Sequence, residues 1–130
     1  MKYILCFILL FCSNLFAEDF KLSFEWGDLK LCTSGMPNTV ENPKFELTNV
    51  PDGTKWIYFK MVDLKVPSFN HGGGWIEYIG ENTLNPGAFK YKSPCPPDGV
   101  HKYQWTATAK SKKSSFGGKI ASTSFSKNYP

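Results

Sequence analysis

The sequence predicts an all-β fold, a single β-sandwich domain with little helix, and three observations predict it. Apolar and polar residues alternate along several short segments, the two-residue period of a half-buried strand. Eleven Gly and nine Pro punctuate the chain at close intervals, which suits turns and interrupts helices. No window of ten or more residues carries a helical period. At 130 residues the chain is long enough for one domain and short for two, and no repeat or linker divides it.

The elements follow in order. Met1-Lys2-Tyr3 is a short positive start, and residues 4–11 are an unbroken apolar run. The chain then turns polar, and Leu15-Phe16-Ala17 precedes Glu18-Asp19. This is the form of a secretory signal peptide cleaved after Ala17, with an apolar run well short of the ~20 residues a spanning helix needs. Phe11 stands where lipoprotein processing at Cys12 would want a small residue. The expectation is a domain of residues 18–130, periplasmic or secreted, with no transmembrane segment after signal removal.

In that domain Phe20, Leu22, Phe24 and Trp26 alternate with polar neighbours, as do Phe45, Leu47 and Val50 after Asn42-Pro43. Pro51-Asp52-Gly53-Thr54 is a turn. Residues 56–62, nearly all apolar or aromatic, read as a central strand covered on both faces. Further strands are read at 75–79, 103–109 and 120–125. The loops are 33–42, 66–74, 80–99 and 111–118.

Composition excludes some functions. All fifteen basic residues are Lys, so the bidentate guanidinium that best holds phosphate or a base edge is absent. No basic block is present, and nucleic acid is not an expected partner. Loss of the signal removes Cys6 and Cys12. Two cysteines left in an oxidising compartment point to a Cys32–Cys95 bridge, the alternative being two buried thiols.

Three places stand out for chemistry. Asp63 follows the most apolar strand, where it serves as a cap accepting loop amides or as one wall of a pocket. His71-Gly72-Gly73-Gly74 reads as a mobile loop, with an anion nest as its sharper alternative. Pro94-Cys95-Pro96-Pro97-Asp98-Gly99 is a stiff loop, and His101 opens the strand after it. Asp63, His71, Glu77 and His101 match no metal-ligand spacing, and no Ser stands in a nucleophile elbow.

The segment from Pro94 to Gly99, followed by His101-Lys102-Tyr103, resembles the phosphatidylethanolamine-binding proteins, in particular their bacterial Raf-kinase-inhibitor-like branch. That family carries Gly-Pro-Cys-Pro-Pro and then His-Arg-Tyr before a strand. Val50-Pro51-Asp52-Gly53-Thr54-Lys55 is similar to its Val-Pro-Glu-Gly-Thr-Lys, and residues 63–67 fall on its Asp-Pro-Asp-Ala-Pro. The resemblance runs from about Phe20 to Tyr129. It implies a β-sandwich with a small anion-accepting pocket near one end.

Carried across, Asp63, Pro67, Tyr91, Pro94, Pro96 and His101 match the family's pocket. Glu77 falls where the family has its other His, in the alignment that keeps Trp75. Lys65 replaces the second acid, Leu64 the first Pro, Ser93 a Gly, and Lys102 the Arg. The resemblance therefore implies a non-enzymatic binding domain for a small anion or phosphate headgroup, without a cofactor. The alternative is an interaction or inhibitor module of the cell envelope that captures a protein partner and keeps a vestigial pocket.

Overall fold

The computed structural model describes residues 18–130. The expected signal peptide, residues 1–17, lies outside the described residues. Among the described residues there are nine strands: β1 (Lys21–Glu25), β2 (Thr39–Glu41), β3 (Lys44–Thr48), β4 (Trp56–Asp63), β5 (Gly73–Glu77), β6 (Thr83–Leu84), β7 (Lys90–Lys92), β8 (His101–Lys110) and β9 (Lys119–Tyr129). They form a three-stranded sheet in the order β1-β3-β6, a four-stranded sheet in the order β5-β4-β8-β9, and a β2-β7 pair. Every ladder is antiparallel.

Alternation explains how the layers meet. Leu22 and Phe24 on β1, with Phe45 and Leu47 on β3, point inward from one sheet. Ile57, Phe59 and Met61 on β4, with Tyr103, Trp105 and Ala107 on β8, point inward from the other. The layers touch where Phe45 stacks on Phe59 at 4.5 Å between ring centroids and meets the Trp105 ring edge-on at 5.0 Å. Such contacts add about 0.5–1.5 kcal/mol per pair beyond simple area burial. The expected β-sandwich is thus formed, with Phe24, Phe45, Phe59, Tyr91, Tyr103, Trp105 and Tyr129 buried in its core.

Three expectations need correction. β4 is not covered on both faces: Trp56, Tyr58 and Val62 are half-buried and Lys60 is exposed on its outer side. The regions read as loop at 33–42 and 80–99 contain β2, β6 and β7, short strands with too few residues to show a period.

The glycine run is not a mobile loop either. Gly73 and Gly74 belong to β5, and a Cβ on Gly73 would lie 1.8 Å from the Phe59 carbonyl oxygen. One on Gly74 would lie 2.4 Å from the Phe89 ring. These positions require Gly because another chain segment passes too close for a side chain.

Asn42 anchors the loop that carries Phe89. Its side-chain oxygen accepts the amides of Gly87, Ala88 and Phe89, while its nitrogen donates to the carbonyls of Pro43 and Asn85. All of that amide's main capacity is used, which is how a polar side chain can be 1% exposed without penalty.

Candidate functional site

β4 ends at Asp63 and β8 begins at His101. The ladder between them pairs Asp63 with Tyr103, two residues beyond His101 and on the same face. That register brings Asp63 and His101 together: His101 Nδ1 lies 2.6 Å from Asp63 Oδ2. The other ring nitrogen, Nε2, lies 2.5 Å from Asp98 Oδ1. Asp98 in turn receives Lys65 Nζ at 2.9 Å through its second oxygen.

Both His101 nitrogens face carboxylates, which only accept, so both nitrogens must donate and the ring is an imidazolium. Its pKa is raised, first by the Asp63 hydrogen bond and then by Asp98, against the opposing effect of burial. Burial would lift the Asp63 carboxyl. The His101 hydrogen bond and the amides of Lys65 and Val66 outweigh it and hold Asp63 below its ordinary value. Asp98 is held low by Lys65 first and His101 second. Four charges therefore alternate, from Asp63 through His101 and Asp98 to Lys65.

Asp63 and His101 of this group line a cavity of about 210 Å³. Asp63, His71, His101 and Tyr103 contribute its polar atoms, and Val66, Phe69, Pro37, Pro96 and Pro97 its apolar wall. The volume is below the usual range for drug-sized sites and suits a ligand no larger than a headgroup. His71 donates from Nδ1 to the Lys92 carbonyl at 2.8 Å, and burial lowers its pKa, so the ring is neutral with Nε2 as an acceptor. Burial and the nearby Asp63 charge raise the Tyr103 phenol, which stays protonated.

Cys32 and Cys95 form a disulfide with Cα atoms 4.6 Å apart. Cys95 lines the cavity, and the bridge ties the proline-rich loop to the 33–38 segment. Reciprocal bonds between Ser93 and Asn38, and Gly35 N–H donating to the Cys95 carbonyl, hold the same junction.

Of the expected site residues, Asp63, Pro96 and His101 line the cavity. Pro67 lies in the exposed 64–70 segment beside it, and Pro94 is fully buried behind it. Tyr91 is not at the cavity: it is a core residue with its ring 4.9 Å from that of Trp105, and its hydroxyl has no partner. Glu77 is not there either. It is exposed at the far end of β5, in a depression with Trp75, Tyr78 and Leu84.

The resemblance implied Glu77 at the place of the family's second histidine, whereas the histidine that lines the cavity with His101 is His71. Sequence reasoning also missed Asp98, although its place three residues before His101 was the available signal. Asp63 fills both of its proposed roles, since it caps the turn amides and forms a cavity wall.

No family model and no curated protein matches this chain. A crystal structure of a Chlamydia trachomatis protein, considered a homologue of the phosphatidylethanolamine-binding proteins, is similar to it. The two share 17% identity at a TM-score of 0.58, over 85% of this chain and 97% of the other. The chain has a phosphatidylethanolamine-binding-protein-like fold, in agreement with the resemblance read from its motifs.

Proposed function

We propose that residues 18–130 form an exported, non-enzymatic binding domain for a small anion or phosphate headgroup, held at the Asp63–His101 cavity. One observation carries this reading: a buried imidazolium lines a headgroup-sized cavity and donates from Nε2 to an exposed carboxylate. Asp98 holds the position an incoming anion would take. On exchange, His101 and Lys65 would present two positive charges to the ligand, and the apolar wall would take the adjoining carbon groups.

Several features support the non-enzymatic part. Neither nitrogen of His101 is a free base, and Cys95 is spent in a disulfide. The disulfide also suits an oxidising compartment. Among the described residues no helix is long and apolar enough to cross a membrane.

The test is a titration with phosphoethanolamine and with inorganic phosphate, reading the His101 ring resonances by NMR. Saturable shifts of that ring are expected, and their absence at millimolar ligand would overturn the reading. A second reading is an envelope interaction module, favoured by Asp98 already satisfying His101. His101→Gln separates the two, since it should abolish phosphate binding yet spare capture of a protein partner.

A further inference from the structure

At the opposite end of β4 and β8, and on the outer face of the four-stranded sheet, lies a second depression of about 470 Å³. Seven residue steps along β4 separate Trp56 from Asp63, about 23 Å of strand. Tyr58 and Trp75 are cross-strand partners on this face, with ring centroids 4.9 Å apart. Thr108 is the partner of Tyr58 on its other side, and Lys110 that of Trp56. The 111–118 segment brings Ser115 and Gly117 to the lining, and Lys119, the β9 partner of Lys110, joins them.

Lys110 is the informative residue. It is 6% exposed, yet it makes no salt bridge with any described carboxylate. Its ammonium lies 5.8 Å from the centroid of the Trp75 ring, its one charge-compensating contact. The side chain is held in place while its ammonium has no carboxylate partner among the described residues, which leaves it available to an incoming anion. No acid lines the depression. Glu77 shares the face but stands across β4 from Lys110, beyond Trp56. Lys119 adds a second positive charge, and Lys112 reaches Gly117 at the rim.

We propose that this depression is a binding site for an acidic sugar, a pyranose ring bearing a carboxylate. The carboxylate meets Lys110 and Lys119, the ring lies against Tyr58 and Trp75, and the Thr108 and Ser115 hydroxyls exchange hydrogen bonds with the sugar hydroxyls. Lys110 lines the depression beside Trp75, where a single projecting carboxylate can reach its ammonium. The hydroxyl-bearing residues beside aromatic ones favour a polyol ring over a purely apolar acid.

The site is independent of the Asp63–His101 cavity and is tested separately. D-Glucuronate is titrated into the isotopically labelled full domain, with D-glucose and benzoate as controls. Saturable shifts of the Trp75 indole and the Lys110 and Thr108 amides are expected, with the His101 resonances unmoved. Glucose and benzoate should each bind about tenfold more weakly or worse, and Lys110→Met should cost about tenfold in glucuronate affinity.

If Lys110→Met does not fold, Lys119→Glu, on an exposed residue, is expected to weaken binding in the same direction. No saturable shift at about 20 mM glucuronate, equal binding of glucose or of benzoate, or unchanged binding by a folded Lys110→Met or Lys119→Glu overturns the proposal.

Discussion

His101 donates through Nδ1 to Asp63, at 2.6 Å and across 38 residues of sequence, and both side chains are almost wholly buried. Neither residue could keep its charge there alone, because desolvation would neutralise it. Each supplies the reason for the other's ionisation, and the sandwich supplies the register that joins them.

The pair sets a pH window for stability. His101 has a raised pKa, so its contribution is complete below the ordinary value of 6.5 and fades as pH climbs through the higher folded value. Asp63 has a lowered pKa, so its contribution is complete above 3.8 and fades as pH falls through the lower folded value. The stability difference between the native domain and His101→Gln is therefore expected to be greatest between those limits, at about 3 kcal/mol. Urea unfolding across a pH series checks this. A difference independent of pH would refute the charged pairing.

Replacing Cys32 and Cys95 together by Ser opens a loop spanning 63 positions. The expected loss is about 4 kcal/mol, on the view that the bridge acts mainly by restricting the unfolded chain. Denaturant midpoints of the oxidised domain and the double variant measure it directly.

Neighbouring glycines should respond differently to alanine. Gly72 has a φ of +78° and open space around it, so Gly72→Ala is expected to cost about 1 kcal/mol of backbone strain. At Gly73 the new methyl group meets the backbone of the central strand, and a loss of 3 kcal/mol or more, roughly, is expected. Thermal denaturation of both variants distinguishes a close-packed strand from a merely flexible loop, for which the two losses would be equal.

Asn42→Ala strands three amide donors and frees the loop under Phe89. A loss of about 2–3 kcal/mol is expected, with faster amide exchange at Gly87, Ala88 and Phe89. Unaltered exchange at those amides would show that the loop holds itself.

Much of the sandwich was legible because its long strands bury one face only, which writes a period of two into Phe20–Trp26 and Tyr103–Ala109. β2, β6 and β7 were hidden, since strands of two or three residues carry no measurable period. At the site, Asp63 and His101 could be found because their motifs are local. His71 could not be assigned, because its role depends on which loop reaches which strand end, whereas Asp98 was signalled by its place three residues before His101. Glu77 was misplaced for the same reason: counting from Trp75 preserved a motif, while the register of β5 against β4 turned that position to the outer face.

The proposed function has Asp98 standing where an anionic ligand would meet His101, and the decisive variant is Asp98→Asn. The measurement is the dissociation constant of inorganic phosphate, read from the His101 ring resonances of the native and variant domains at one pH and ionic strength. Asp98→Asn is expected to bind phosphate about fivefold more tightly or better, because the competing charge is gone while Asp63 still keeps the ring protonated. Unchanged or weaker phosphate binding by the folded variant would contradict it.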